Sequence, residues 1–243
     1  MGAYRDSFGS FHGFLLRHET FTSIDVPAAN FTEAIGLNQR GDIVGDYTDS
    51  QQVRHGYLLS HGTFTIIDPL GSIFTVATGI DAQGDIVGFY SDTKSGHGFV
   101  LSHGTFTAID VPGANGTLAW GIRRPGNIVG PYTDTSFQVH SYLLSNGKFI
   151  SLDVLGAASS TEARGINRAG DIVGDYSDSR GEHGFLLSDG NFTTIDIPGA
   201  QTTAATGINA EDEVVGWYID SQRREHGFLL SKSDNEKTES EDE

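Results

Sequence analysis

Six histidines, His12, His55, His97, His140, His183 and His226, recur at steps of 43, 42, 43, 43 and 43 residues. Five or six residues before each stands an aspartate: Asp6, Asp49, Asp92, Asp134, Asp178 and Asp220. A carboxylate beside an imidazole is the raw material of acid–base and metal sites, because imidazole titrates near neutral pH and ligates transition metals. Zinc, however, needs three or four converging ligands, and one Asp–His pair per repeat does not converge. A pair present in every copy is scaffold first. The pairs Asp49–His55, Asp92–His97, Asp134–His140, Asp178–His183 and Asp220–His226 are therefore read as hydrogen-bonded fasteners, and no metal is assigned. A second carboxylate series, Asp25, Asp68, Asp110, Asp153 and Asp196, precedes Pro or small residues and suits turn capping. Calcium between neighbouring repeats is the alternative for it, carried by hard oxygen ligands alone, since no Asp-x-Asp-x-Asp-Gly loop is present.

Sites that differ between copies are better placed to carry a specific function. Counting from Thr32, the second position of one repeated strand reads Glu33, Val76, Leu118, Glu162 and Ala204. The fourth reads Ile35, Thr78, Trp120, Arg164 and Thr206, with Arg123 at the nearby turn. Alternate residues of a strand share a face, so Glu33, Trp120, Arg123, Glu162 and Arg164 form the candidate ligand set. Carboxylates, an aromatic plate and guanidinium groups suit a sugar or another polar ligand. A catalytic version uses Glu33 and Glu162 as acid and base, or acid and nucleophile, on a glycosidic bond. In the third reading these positions have drifted on a purely structural scaffold, with Glu33 and Arg164 solvated at a rim. Another variable series, Asp46, Phe89, Pro131, Asp175 and Trp217, holds either partner anchors or gap-filling residues. The chain has no Gly-x-Ser-x-Gly, phosphate loop, dinucleotide fingerprint or His-Glu-x-x-His, which leaves nucleophilic hydrolysis and nucleotide chemistry without support.

The elements that position these residues are legible in one copy. Thr75 to Ile80 alternates small and larger residues, and the turn Asp81-Ala82-Gln83-Gly84 follows. Asp85 to Tyr90 is β-branched and aromatic, and a polar link leads to His97-Gly98-Phe99-Val100-Leu101-Ser102. After the tight turn His103-Gly104, Thr105 to Asp110 completes the unit, and Val111-Pro112-Gly113 breaks it. These are four short strands bounded by turn residues, here named A to D. No stretch shows a sustained 3.6-residue apolar period, so helices are not expected. Four strands in about 43 residues is the size of one β-propeller blade. Strand A, centred on Gly36, Gly79, Gly121, Gly165 and Gly207, is rich in Ala, Thr and Gly and suits the crowded innermost position. An Asp–His fastener is also what WD-type propellers use.

The chain opens inside a B strand, since Tyr4-Arg5-Asp6-Ser7 matches Tyr47-Thr48-Asp49-Ser50, and it closes with A, B and C near Ser231. Complementary ends favour a single propeller over residues 1–231, with five four-stranded blades closed by N- and C-terminal strands. Six blades, two of them incomplete, are the alternative. Residues 232–243 hold six acidic and two basic residues and no apolar one, and read as a disordered acidic tail.

Composition narrows the partners. The formal charge is −17, and without the six acidic and two basic tail residues the body still carries about −13. Such a surface repels phosphate backbones, so nucleic acid is not an expected partner. There is no cysteine, which excludes disulfides and thiolate metal sites. No stretch of 18 apolar residues is present to span a membrane.

The recurring phrases His-Gly-Phe-Leu-Leu-Ser, Phe-Thr-Thr-Ile-Asp-Ile-Pro-Gly-Ala and Gly-Ile-Asn followed by Gly-Asp-Ile-Val-Gly-Asp-Tyr resemble those of bacterial HAF-repeat proteins. The match is plainest over Gly165 to Ala200 and extends to about Ser231. The third and fourth copies depart from it: Arg123 replaces the usual Asn, Asn127 replaces Asp, Pro131 follows Gly130, and Ser141 replaces Gly. The resemblance implies an extracellular or periplasmic bacterial repeat protein and specifies no activity. The resulting expectation is a monomeric, non-enzymatic propeller without a cofactor, binding carbohydrate or a cell-surface partner.

Overall fold

The computed structural model describes residues 1–157 and 160–231. Every regular element within them is a strand. The chain folds as two compact units, Met1–Ile122 and Arg123–Glu243. The expected tail, residues 232–243, lies outside the described residues.

In the first unit, β1 (Gly2–Arg5), β2 (Phe11–Arg17) and β3 (Thr20–Ile24) form a B–C–D set. Two complete A–B–C–D sets follow. They are β4 (Phe31–Leu37), β5 (Ile43–Thr48), β6 (Arg54–Ser60) and β7 (Thr63–Ile67), then β8 (Phe74–Ile80), β9 (Ile86–Ser91), β10 (Gly96–Ser102) and β11 (Thr105–Ile109). The next A strand was expected to be continuous but is split into β12 (Gly116–Thr117) and β13 (Gly121–Arg123). At the break the Thr78 hydroxyl donates to the Ala119 carbonyl at 2.7 Å. The second unit holds β14 (Asn127–Thr133), β15 (Val139–Ser145) and β16 (Lys148–Ser151), a B–C–D series. It continues with a complete set, β17 (Ser160–Ile166), β18 (Ile172–Ser177), β19 (Glu182–Ser188) and β20 (Asn191–Ile195). An A–B–C set, β21 (Thr202–Ile208), β22 (Val214–Ile219) and β23 (Glu225–Leu230), ends it.

Each continuous A strand pairs antiparallel with its B strand and carries one bulge, between Ala34 and Gly36, Ala77 and Gly79, Ala163 and Gly165, and Ala205 and Gly207. The extra residue on each bulge is Ile35, Thr78, Arg164 or Thr206, so the variable fourth position is the bulge residue. A bulge bends its strand and re-aims side chains. The following glycine lets neighbouring A strands meet backbone to backbone. A Cβ on Gly79 would stand 2.8 Å from the Trp120 carbonyl oxygen, and one on Gly165 would stand 3.2 Å from the Gly207 Cα.

Apolar side chains join successive sets. Val44 and Ile67 of one set pack with Ala77, Ile80, Ile86 and Phe99 of the next. The C-strand aromatics Tyr57, Tyr142, Phe99 and Phe185 are fully buried, and each meets a D-strand phenylalanine at 5.3 to 5.6 Å between ring centroids. Burying a C-strand side chain of this size contributes roughly 1.5–3 kcal/mol. Among the described residues no helix is long and apolar enough to cross a membrane.

Candidate functional site

The repeated Asp–His pairs exist, and each is half of a larger unit in the first five copies. His12 Nε2 faces Asp6 at 3.2 Å, while its Nδ1 faces Asp25 at 2.7 Å. His55 lies between Asp49 and Asp68, His140 between Asp134 and Asp153, and His183 between Asp178 and Asp196. His97 follows the pattern with Asp110 at 2.8 Å and Asp92 at 3.7 Å. The D-strand carboxylates weighed as calcium ligands therefore face the histidine 13 residues earlier. Among the described residues no group of three or more His, Asp or Glu side chains is arranged to hold a metal ion.

The two oxygens of the B–C turn carboxylates divide the work, except at Asp178, whose Oδ1 serves both the turn and the ring. Asp49 Oδ1 accepts from the Gln51 and Val53 amides, closing the turn, while Oδ2 is left for His55. The ring then stacks on a B-strand tyrosine, as Tyr47 does on His55 at 5.2 Å. A neutral imidazole has one donor and one acceptor, whereas two flanking carboxylates require two donors. At His12, His140 and His183 the geometry thus favours the imidazolium ion. The Asp25 hydrogen bond, reinforced by Asp6, holds His12 above its usual 6.5. At His140 and His183 burial favours the neutral ring, but Asp153 with Asp134, and Asp196 with Asp178, outweigh it. Backbone amide donors hold the turn carboxylates below 3.8, with Asp178 at about 2.

The sign of the resulting pH dependence differs between the two groups. A raised histidine contributes stability that is fully present below 6.5 and is lost as pH rises through its folded-state value. A depressed aspartate contributes stability present above 3.8 and lost as pH falls through its folded-state value. Melting temperature should therefore be highest between about pH 4 and about pH 6.5 and fall as pH rises above that window. The double variant His140→Gln/His183→Gln should lose part of the alkaline fall. An alkaline limb identical in variant and wild type, measured by circular dichroism melts, would refute the assignment.

The proposed ligand residues occupy both units. In the first, Glu33 lies across the ladder from Asp46. Asp46 is completely buried, and the Arg54 guanidinium grips both of its oxygens. Arg54 also approaches Glu33 at 3.8 Å. Burial pushes the Glu33 carboxyl up, Asp46 adds to the rise, and Arg54 opposes it. Trp120 makes a different contact, with Phe89 at 6.0 Å between ring centroids, and Phe89 meets Phe74 at 6.1 Å. Phe89 thus fills part of an aromatic cluster.

The second unit repeats the acidic arrangement with its charges relocated. Glu162 faces Asp175 across the ladder, and Arg164, on the bulge, bonds Asp175 and reaches Glu162 at 3.1 Å. Glu182 stands at the register position that Arg54 holds in the first unit. Burial pushes both Glu162 and Glu182 up. A buried carboxylate needs a cation, and the chain meets that need from the C strand in one copy and from the A-strand bulge in the other. Sequence reasoning named Asp46 and Asp175 as variable positions but passed over Arg54 and Glu182. Their signal was variation at the residue immediately before the repeated histidine.

Arg123 ends β13, where the A–B turn begins. Other copies place an Asn or Asp there, as Asn167 does, accepting from the amides of Gly170 and Asp171 and donating to the Asp171 carboxylate. Arg123 with Asn127 keeps the same direction, with the Asn127 amide oriented so that its oxygen accepts from Arg123 at 3.0 Å, but a guanidinium has no acceptor to offer the turn amides. Arg123 also donates to the Arg168 carbonyl of the next A–B turn. Ser141 is a second structural replacement. Its buried hydroxyl donates to the Thr161 carbonyl and accepts from the Ala163 amide, tying β15 to β17.

No protein-family model matches the chain, and a search of curated proteins gives no match. Solved structures do resemble it. TolB of Acinetobacter baumannii aligns with a TM-score of 0.66 at 12% identity, over 95% of this chain and 63% of that one. AofleA of Arthrobotrys oligospora aligns at 0.64 and 12% identity, over 95% and 78%. The fucose-specific lectin of Aleuria aurantia aligns at 0.56 and 13% identity, over 94% and 86%. At this identity the likeness is one of fold. The chain is an all-β protein of the β-propeller class.

Proposed function

We propose that this chain is a non-enzymatic, secreted β-propeller of the HAF-repeat type that binds carbohydrate through its inner-strand carboxylates. The observation that carries the reading is the recurrence, at one register row, of a half-buried Glu beside an Arg-neutralised buried Asp. Glu33 with Asp46 and Arg54, and Glu162 with Asp175 and Arg164, each present a partly exposed carboxylate held in place by fixed charges. Such preorganised acceptors suit sugar hydroxyls, and the Phe89–Trp120 pair offers an aromatic face of the kind sugars stack on. The fold likeness to a fucose-specific lectin supports this class of ligand. Arginine also flanks the two carboxylates of the catalytic alternative, Arg54 near Glu33 at 3.8 Å and Arg164 near Glu162 at 3.1 Å, which favours binding over catalysis because a carboxylate held in an ion pair is a poor nucleophile or base.

A glycan array followed by calorimetry tests the proposal. Glu33→Gln, Glu162→Gln and Trp120→Ala should each leave the fold intact. At least one should weaken binding by about tenfold, the equivalent of about 1.4 kcal/mol. Absence of any glycan ligand at roughly millimolar concentration, or affinities unchanged in all three variants, would dispose of it.

A further inference from the structure

We infer that the open edge of β23 is a docking groove for an extended peptide carrying Phe, Ile and Asp in the spacing Phe-x-x-Ile-Asp. Among the described strands β23 pairs with β22 alone, so one row of its backbone donors and acceptors is left for another strand. Five copies show what belongs there. In all five the D-strand Phe lies opposite the last Leu of the C strand, as Phe192 does opposite Leu187. In four of them an Ile lies opposite the C-strand Gly, as Ile195 does opposite Gly184. In all five copies the following Asp meets the histidine Nδ1.

The last set keeps every receiving feature. Leu230 and Gly227 occupy the positions of Leu187 and Gly184. His226 binds Asp220 through Nε2, and among the described residues it has this one carboxylate where the other five histidines have two. A cavity of about 470 Å³ lies at the end of the strand, lined by Val214, Leu230, Leu186, Thr193, Ile195 and Ile197. Leu229 beside it is 61% exposed. The residues that continue the chain match the pattern in charge only: counting from Ser231 as from Ser188, Asn235 and Thr238 stand where Phe192 and Ile195 stand, and Glu239 stands where Asp196 does. The tail sequence thus has an acid for the Asp place and no apolar residue for the Phe and Ile places. A peptide with the repeat's own D-strand pattern supplies both, and adds as an antiparallel strand with its Phe opposite Leu230 and its Asp beside His226.

The experiment uses a fluorescein-labelled peptide of residues 190–198, Gly-Asn-Phe-Thr-Thr-Ile-Asp-Ile-Pro, titrated with the full chain and read by anisotropy. Saturable binding is expected, weakened about tenfold by Phe192→Ala or Asp196→Asn in the peptide. His226→Gln in the protein should weaken the unmodified peptide and leave the Asp196→Asn peptide unchanged. Binding equal to that of a scrambled peptide, or no saturation, would overturn the inference. So would sedimentation showing a self-associated chain that the peptide fails to dissociate, because the groove would then belong to a second copy. The inference is independent of the carbohydrate reading, and glycans should not compete with the peptide.

Discussion

Gly88→Ala should abolish cooperative folding, while Gly96→Ala, eight residues further on, should be nearly neutral. A Cβ on Gly88 would lie 2.1 Å from the Val76 carbonyl oxygen and 2.8 Å from the Phe99 ring, whereas one on Gly96 meets nothing within 4 Å. The Val76 carbonyl is backbone of the bulged A strand, and Phe99 is completely buried. Neither can yield without moving the strand that packs against the next set. A small domain is stable by about 5–15 kcal/mol, and core overpacking against fixed backbone falls among the few changes that cost more than about 4 kcal/mol. Gly45, Gly174 and Gly216 sit in the same vice, with a Cβ 1.9 to 2.0 Å from the A-strand oxygen, so the effect should repeat at each. Urea titrations of the pair are the measurement. Equal midpoints for Gly88→Ala and wild type would mean that the bulge geometry is misassigned.

Arg164→Ile should be the most damaging charge change, and Glu182→Arg should rescue it. Removing Arg164 leaves Asp175, whose side chain is 4% exposed, together with Glu162 and Glu182 and without the guanidinium that holds them. Breaking a buried ion pair from one side costs about 3–5 kcal/mol. The double variant recreates the first unit's arrangement, in which Ile35 occupies the bulge and Arg54 supplies the cation from the C strand. It should regain most of the loss. Stranded carboxylates have raised folded-state pKa values, so the single variant's deficit should be largest at neutral pH. It should shrink as pH falls to about 4, where the groups protonate in both states. A double variant no more stable than Arg164→Ile would show that the two clusters are not equivalent.

Much of this is legible in the amino-acid sequence. The 43-residue period, the four strands and the Gly-rich A strand are local patterns written several times over, so chance variation in one copy is corrected by the others. Asp49–His55 and its equivalents were readable because the turn between them is short. The second aspartate of each histidine was harder: it comes from 13 residues away, across the C–D hairpin, and needs the ladder register to be known. Arg123 looked like a ligand residue by charge and proximity, yet the turn uses its guanidinium to replace an Asn–Asp pair.

The amino-acid sequence alone determined the repeat, the strand identities and which positions vary, because alternation and turn chemistry act over a few residues. Tertiary structure decided which charges meet. One bulge in each of β4 and β17 puts Ile35 and Arg164 at equivalent points, and the buried Asp46 and Asp175 then draw their cation from whichever neighbouring strand carries one. That choice is electrostatic and made across strands, where linear spacing carries no information about distance.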